Sequence, residues 1–329
     1  MSLHVIVIGT GSSGMRHLEA LRRIPNVHAI AIPQRQTRFM ELADEGYTVC
    51  DNLDQALKKW SPGLCIIASD TGRHLDHALT SIANGYHLLV EKPMAINARD
   101  ALRMWDAARA EKRDIYVGCV LRFCKSLQGC REMLGELGQI HSIRIECQSY
   151  LPEWRISHPY RDSYSARMDE GGVLRDLVHE IDYAGWLFGW PREVYAKLKN
   201  LQRLGINADE AADLMWDAQS GATISMRLDY LSRPPRRVMT ICGEQGTLTW
   251  DGIRHHVVLA LNGQPNREAD WHQTRDEMFE AQIHAFIASA TQGMPSLLAT
   301  GIEGVQALAI CDAARRSAVS GRQELVEYS

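Results

Sequence analysis

A glycine-rich turn near the start of the chain constrains the fold more than any other feature of the sequence. It is the run Gly9-Thr10-Gly11-Ser12-Ser13-Gly14, which follows the apolar residues 4–8 and precedes a segment with helical spacing. Between a strand and a helix, such glycines permit a tight turn, close approach of the backbone to a pyrophosphate, and close helix packing. The N–H groups that open the helix would face the phosphates. The run therefore predicts dinucleotide contacts from Gly9, Gly11, Ser12, Ser13 and Gly14.

Short apolar runs alternate with amphipathic segments through the first third of the chain. The runs with the length of buried strands are residues 4–8, 27–32, 64–68, 87–90 and 115–120. The segments with helical spacing are residues 15–23, 37–43, 75–84 and 98–111. Because this alternation is typical of an α/β fold with a parallel sheet, we expect a Rossmann domain over residues 1–122.

The pattern changes after residue 122. Alternating strand-like runs are predicted at residues 142–150, 221–231, 236–242 and 246–250, and helices at 127–137, 172–188, 277–292 and 301–317. Alternation of apolar and polar residues is the pattern of an antiparallel sheet with one exposed face. We expect residues 123–329 to form a substrate-binding α+β domain with a large, mostly antiparallel open sheet. Covering that face would produce a homodimer or homotetramer.

Composition limits the partners and the location. The 329 residues include 36 Lys and Arg against 40 Asp and Glu, so the net charge of −4 does not suggest a nucleic-acid surface. The eight cysteines form no Cys-x-x-Cys pair, and His255 and His256 have no partner at ligand spacing, so no metal site is expected. The sequence shows neither a signal peptide nor a long apolar span. We expect a cytoplasmic protein that binds neither nucleic acid nor membrane.

The residues after the second predicted strand bear on which nicotinamide cofactor is bound. NAD-preferring sites usually place an Asp or Glu there for the ribose hydroxyls. Pro33 and Gln34 occupy that place here, and Arg35 and Arg38 follow. Since a guanidinium suits a 2′-phosphate, the sequence favours NADP over NAD. Two solvated surface arginines would give the same pattern.

Further motifs, taken in order, resemble a known family. They are Ala68-Ser69-Asp70-Thr71 with His74, Glu91-Lys92-Pro93, Val117-Gly118 with Arg122-Phe123, and the run from Gly171 to Asp182. With the glycine-rich turn they resemble the glucose-fructose oxidoreductase, inositol dehydrogenase and MocA family over nearly the whole chain. The resemblance implies hydride transfer between NAD or NADP and a secondary alcohol or keto carbon of a sugar, cyclitol or sugar nucleotide. It also implies cofactor contacts from Ser69, Asp70, His74, Glu91 and Lys92, and a substrate contact from Arg122.

Three residues are candidates for the chemistry. The resemblance implies that Lys92 positions the substrate hydroxyl, at a strand end where open α/β sheets bind ligands. Asp176 and His179 stand three apart on a predicted helix and so share a face, whereas the family commonly places the pair four apart. A histidine titrates near neutral pH, which favours His179 as general acid/base and leaves Asp176 to orient it or bind a hydroxyl. Which of the two is the base stays open, and a purely structural His179 would also fit.

The stretch from residue 150 to residue 164 is dense in aromatic and arginine side chains. Such side chains stack on sugar faces and bind carboxylates or phosphates. Arg155, Tyr160 and Arg161 are therefore candidate substrate residues, and Arg175 would add a further positive charge. Packing between domains or subunits would use the same residue types. Two other functions stay open: a redox-assisted glycosidase or epimerase that recycles NAD, and a non-catalytic sensor that binds NAD or NADP.

Overall fold

The computed structural model describes residues 2–60, 63–154 and 159–328. Within those ranges the strands are β1 (Leu3–Ile8), β2 (Val27–Ile32), β3 (Thr48–Val49), β4 (Leu64–Ile67), β5 (His87–Val90), β6 (Ile115–Val117), β7 (Ile140–Gln148), β8 (Glu193–Lys199), β9 (Ala211–Asp217), β10 (Thr223–Asp229), β11 (Arg236–Gly243), β12 (Gly246–Asp251), β13 (His256–Leu261), β14 (Arg267–Asp270), β15 (Ala299–Thr300) and β16 (Glu324–Leu325). The helices are α1 (Ser12–Arg22), α2 (Gln36–Asp44), α3 (Leu53–Lys59), α4 (His74–Ala83), α5 (Ala98–Ala110), α6 (Lys125–Met133), α7 (Val173–Asp176), α8 (Val178–Phe188), α9 (Arg275–Gln292) and α10 (Gly301–Ser320). None of these helices is both long enough and apolar enough to cross a bilayer.

The first compact unit contains a seven-stranded sheet. It comprises Met1–Phe123 and Thr274–Val305, and its strand order is β15-β6-β5-β4-β1-β2-β3. β1 to β6 pair in parallel, and β15 pairs with β6 in the antiparallel sense. The direction of winding reverses between β1 and β4, and open α/β sheets bind ligands beside such a point, at the carboxyl ends of the strands. This is the Rossmann arrangement that the sequence predicted.

Two short elements of this unit lack a pattern that the sequence could reveal. β3 is only two residues long, and α3 buries only Ala56 among its seven residues. α3 begins because the Asn52 side chain accepts a hydrogen bond from the Gln55 N–H at 3.0 Å. A helix without an apolar stripe gives no periodic signal, so this part of the domain was not predicted.

The second compact unit contains a nine-stranded sheet. It comprises Cys124–Gln273 and Gln306–Ser329, with the strand order β14-β13-β12-β11-β7-β10-β9-β8-β16. Neighbouring strands are antiparallel except β7 and β10, which are parallel. The inner face is a packed core in which Trp250 donates to the Ser126 hydroxyl at 2.9 Å and meets the Tyr183 ring edge-on at 5.6 Å. The predicted fold class, a Rossmann domain followed by a domain with a large, mostly antiparallel sheet, is confirmed.

The expected division, between residues 122 and 123, has the chain pass from one unit to the other once. In the structure the chain also returns to the first unit and then leaves it again. Residues 274–305 group with the first unit. Ala299 on β15 pairs with Val117 on β6, and the Phe279 ring on α9 lies 5.0 Å from the ring of His17 on α1. The late segment therefore completes the edge and one helical layer of the first unit.

Candidate functional site

The glycine-rich turn lies at the carboxyl end of β1. Gly9 has a φ of +90°, and a Cβ built there would lie 2.5 Å from the carbonyl oxygen of Ala68, just beyond β4. A Cβ on Gly14 would lie 1.9 Å from the carbonyl oxygen of Gly9. A Cβ on Gly11 would meet no described atom within 4 Å. Packing therefore requires glycine at positions 9 and 14, whereas position 11 borders open space.

The first turn of α1 offers hydrogen-bond donors beside that open space. No described side chain caps α1, and its first turn contains no acidic residue. Gly11 and Ser12 are exposed, Ser13 is half-buried, and His17 further along the helix is buried. N–H groups without a cap, at the positive end of the helix dipole, form an anion site. The residues predicted for the dinucleotide thus come together in a cradle that fits a pyrophosphate.

A cleft of about 420 Å³ opens next to the turn. Its lining includes Pro33 and Gln34 after β2, Asp51 before α3, and Arg73 and His77 beyond β4. Arg73 donates from Nη1 to Gln34 Oε1 at 2.5 Å, so a guanidinium lies beside the residue that replaces the usual ribose-binding carboxylate. Arg73 was not singled out from the sequence because it follows a different strand from Gln34. A basic residue in the turn after β4 was the signal that could have found it.

The two arginines predicted for a 2′-phosphate have different surroundings. Arg38 on α2 donates to Glu41 at 2.7 Å and lies 3.9 Å from Glu45, so carboxylates of its own segment match its charge. Arg35 directly precedes α2, and its side chain is exposed. Among the described residues no carboxylate lies within ion-pair distance of Arg35.

Glu91 and Lys92 follow β5 at the same edge of the sheet. The Glu91 carboxylate is buried, lies 2.7 Å from Nε2 of His17 on α1, and accepts from the Lys92 N–H at 3.3 Å. Burial alone would raise the pKa of Glu91, but the bond to His17 and the charges of His17 and Lys92 lower it. The Lys92-Pro93 peptide bond is cis, and the Lys92 side chain is half-buried. A buried carboxylate thus ties the backbone of Lys92 to the helix that begins at the glycine turn.

His74 lies between two loop segments of this edge. Its Nε2 lies 3.0 Å from the carbonyl oxygen of Ser69, and its Nδ1 lies 3.1 Å from that of Pro93. Burial lowers the pKa of His74, so the ring is neutral at pH 7 and donates to one carbonyl at a time. Ser69 contacts His77 through its hydroxyl at 3.0 Å, and Asp70 is exposed. His74 therefore supports the backbone around the cleft.

Asp176 ends α7 in the second unit and accepts hydrogen bonds from three hydroxyl groups. Tyr164 and Ser165 each donate at 2.6 Å, and Tyr230 donates at 2.9 Å. Burial and the negative charge of Asp176 raise the pKa of Tyr230 well above its ordinary value, so this hydroxyl remains a donor. Donors to a carboxylate favour its charged form and weaken it as a base. The sequence could not reveal this set because Tyr230 lies 54 positions from Asp176.

His179 lies on α8, shortly beyond Asp176. The single helix predicted over residues 172–188 is wrong, because α7 ends at Asp176 and Leu177, with φ −95° and ψ +29°, separates it from α8. The break directly follows the carboxylate that three hydroxyl groups hold in place. His179 is half-buried in the first turn of α8. Helical spacing therefore does not by itself place Asp176 and His179 on one face.

The described part of the predicted substrate segment is anchored to a loop. The Tyr160 hydroxyl and the Arg161 Nε both donate to the carbonyl oxygen of Leu204, at 2.9 and 3.2 Å. The Arg161 side chain is exposed, and among the described residues Nε is its only donor in use. Arg155 lies outside the described residues.

Two other predicted substrate arginines are buried. In the first unit, Arg122 lies 2.9 Å from Glu303, and this charge lowers the pKa of Glu303 against the opposing effect of burial. In the second unit, Arg175 donates to the carbonyl oxygen of Asp169 at 2.6 Å, and burial lowers its pKa. Each guanidinium thus has a partner within its own unit.

Comparisons with known proteins agree on one family. Residues 3–119 match the model of the GFO/IDH/MocA oxidoreductase family, NAD-binding Rossmann fold, and residues 131–249 match the GFO/IDH/MocA C-terminal domain. An uncharacterized oxidoreductase of Synechocystis sp. is 31% identical over 60% of this chain, which spans only 54% of that relative. Inositol 2-dehydrogenase/D-chiro-inositol 3-dehydrogenase of Shouchella clausii is 23% identical over 99% of this chain and 95% of its own length. The structure of levoglucosan dehydrogenase in complex with NADH superposes with a TM-score of 0.89 at 20% identity, over 99% of this chain and 100% of that chain, and shows the shared fold.

The contrast between Gly11 and Gly14 gives a prediction for the phosphate cradle. Gly11→Ala should fold normally, since its Cβ meets open space, but bind NADH about tenfold or more weakly because the methyl group occupies the path of the pyrophosphate. Gly14→Ala should unfold at lower urea concentration because its Cβ meets the Gly9 carbonyl. Urea titration and fluorescence titration with NADH measure the two effects. Equal NADH affinities for wild type and Gly11→Ala would show that the cofactor does not bind at this turn.

Proposed function

Because the chain belongs to the GFO/IDH/MocA oxidoreductase family, we propose that it transfers a hydride between a nicotinamide cofactor and a secondary alcohol or keto carbon of a sugar, cyclitol or sugar nucleotide. The observation that carries the proposal is the open cradle at Gly11, which fits a dinucleotide and lies at the same sheet edge as Lys92. Relatives named as inositol and levoglucosan dehydrogenases support a polyhydroxylated substrate.

The proposal gives three residues separate roles. The nicotinamide ring, when bound, accepts or supplies the hydride. Lys92 donates an N–H to the reacting oxygen and so favours its negative charge. His179 takes the hydroxyl proton on oxidation and returns it on reduction. Asp176 carries a negative charge beside the substrate, and the three hydroxyl donors that stabilise this charge make His179 the better base.

Substitution of these residues tests the proposal. With a panel of cyclitols, free sugars and sugar nucleotides, Lys92→Ala and His179→Ala should each lower kcat by about 100-fold or more, the usual scale for lost acid/base assistance. The Kd for NADH should stay unchanged, and Lys58→Ala, on the exposed surface of α3, serves as the matched control. If His179→Ala is nearly normal and Asp176→Asn is inactive, the base is Asp176.

The same panel separates the rival functions. A dehydrogenase changes the amount of NADH or NADPH in solution, which absorbance at one wavelength records. A glycosidase or epimerase that recycles NAD converts the sugar without that change. A sensor binds the sugar and converts nothing, so turnover of any panel member excludes it.

We also propose that NADP is favoured over NAD. Support comes from the absence of a carboxylate at Pro33 and Gln34 and from two exposed guanidinium groups nearby, those of Arg35 and Arg73. Arg38, which the sequence offered as an alternative, is matched by Glu41 and Glu45 and contributes less. Asp51 lines the same cleft and could accept hydrogen bonds from the adenosine hydroxyl groups. Its negative charge would repel a 2′-phosphate and so acts against the preference for NADP.

This preference predicts an ordered set of affinities. NADPH should bind more tightly than NADH, and loss of one charge-assisted contact in Arg35→Ala or Arg73→Ala should weaken NADPH binding by about 1.5–3 kcal/mol. NADH binding should hardly change in either variant. Arg38→Ala is the control, because its charge is already paired. Titration with both cofactors measures the result, and equal affinities in the wild type would contradict the proposal.

The substrate segment is proposed to hold an anionic group of the substrate. Arg161 uses only Nε among the described residues, which leaves the paired terminal nitrogens for a phosphate or carboxylate. Arg155 is assigned to the same role from the sequence alone. A charge held away from the reacting carbon would orient the substrate, as binding energy does in enzymes of this kind.

A second copy of the chain is proposed to cover the exposed face of the nine-stranded sheet. That face carries Met215 and Val258 among charged pairs such as Arg236 with Glu146. A broad sheet face with exposed apolar side chains is a common interface in symmetric oligomers. The cytoplasmic location expected from the sequence stays a prediction.

The oligomer is tested by light scattering after size exclusion. The wild type should elute with the mass of a dimer or tetramer, and Met215→Arg should lower that mass because the residue is 49% exposed on the sheet face. Met294→Arg, at a residue 52% exposed in the loop after α9, should leave the mass unchanged. A monomeric wild type would contradict the proposal.

A further inference from the structure

Glu210 is a buried carboxylate whose hydrogen-bond donors, among the described residues, are all backbone N–H groups. Its side chain has no exposed surface, and no described lysine, arginine or histidine pairs with it. Its oxygens accept from the N–H groups of Leu201 at 2.8 Å, Arg203 at 3.2 Å and Leu204 at 2.7 Å. A buried carboxylate without a charged partner is stabilised by such donors, and loss of one would leave an acceptor unsatisfied.

The loop that surrounds Glu210 takes its shape from this carboxylate. Residues 200–209 connect β8 to the residue that precedes β9. Asn200 closes the loop by donating from Nδ2 to the carbonyl oxygens of Ile206 at 2.8 Å and Ala208 at 2.9 Å. The side chains of Leu204 and Ile206 are buried beneath it. The loop is therefore a fixed support whose position depends on Glu210 and Asn200.

That support holds the predicted substrate segment through one atom. The carbonyl oxygen of Leu204 accepts from the Tyr160 hydroxyl and from the Arg161 Nε. The N–H of Leu204 is one of the donors to Glu210, so the backbone N–H and the carbonyl oxygen of Leu204 are both hydrogen-bonded. Four residues after Tyr160, Tyr164 begins the short turn whose hydroxyl groups bind Asp176.

We infer that Glu210 is a positioning residue for the substrate segment, acting through Leu204 on Tyr160 and Arg161. The inference rests on the proposed function for the identity of the ligand, an anionic sugar derivative, but not for the contacts that carry it. Glu210 fixes the position of Leu204, and the carbonyl oxygen of Leu204 fixes the guanidinium of Arg161. The same segment contains Tyr164, whose hydroxyl donates to Asp176. Glu210 touches neither substrate nor cofactor in this scheme.

Amide hydrogen exchange tests whether Glu210 fixes the position of the substrate segment. Glu210→Gln replaces one acceptor oxygen by an NH₂ group that faces backbone donors, so exchange should become about tenfold or more faster in residues 201–204 and also in residues 162–167. Tyr160→Phe should accelerate exchange in residues 162–167 alone. The matched control is Asp251→Asn, which loses a carboxylate that accepts from the N–H groups of Ile253 and Arg254, both at 2.9 Å, in the turn after β12. It should affect only that turn.

Two results would overturn the inference. One is faster exchange at residues 201–204 in Glu210→Gln with unchanged exchange at residues 162–167. The other is unchanged exchange at residues 162–167 in Tyr160→Phe, a variant that keeps Glu210 and so decides the matter even if Glu210→Gln fails to fold.

Kinetics test the functional part on any sugar nucleotide of the panel that is turned over. Glu210→Gln should raise its KM by about tenfold while kcat stays within about twofold and the Kd for NADH is unchanged, since the weakened contact binds the anionic end equally in the ground and transition states. An uncharged sugar should show a smaller rise in KM. A fall in kcat with constant KM would overturn the positioning role. If no sugar is turned over, the proposed function fails while the exchange experiment still decides how the segment is held.

Discussion

A carboxylate removed from water must be matched by hydrogen-bond donors or by a positive charge, and this requirement organises both units of the protein. In the first unit, the buried carboxylate of Glu91 is matched by His17. In the second unit, Asp176 is matched by hydroxyl groups, and Glu210 by backbone N–H groups. The pair of Glu91 with His17 and that of Asp176 with Tyr230 join segments 74 and 54 positions apart, whereas the donors to Glu210 lie in the adjoining loop. Within each unit, polar contacts of buried carboxylates thus help to fix the segments that carry candidate site residues.

The kind of donor decides what each carboxylate can do. The Glu91 carboxylate contacts the His17 imidazole and accepts from the Lys92 N–H, and these contacts fix the backbone at Lys92. Asp176 accepts from neutral hydroxyl groups, which stabilise a negative charge without cancelling it. That charge can act on a neighbouring proton or on a polar ligand. A buried carboxylate thus has an imidazole and a backbone N–H as partners in one unit and hydroxyl groups as partners in the other.

The sequence predicted those parts of the fold whose signal is local. The buried strands β2 and β5 have the predicted bounds, since each is a short apolar run between turn residues. The turn between β1 and α1 was predicted because its three glycines lie within six residues, and packing requires glycine at two of them, Gly9 and Gly14. The break at Leu177 was missed because the helical spacing of apolar residues continues through it. Arg73 beside Gln34 was missed because the two residues follow different strands.

The return of residues 274–305 to the first unit bears on the order in which the protein is made. When Phe123 has left the ribosome, β6 still presents an open edge, because its partner β15 has not been synthesised. Tyr116 also lacks the ring of Phe286, which lies 6.1 Å from it in the finished protein. An unpaired strand edge next to uncovered aromatic surface invites association with other nascent chains. The nucleotide-binding unit of this protein is thus completed only after most of the second unit has emerged.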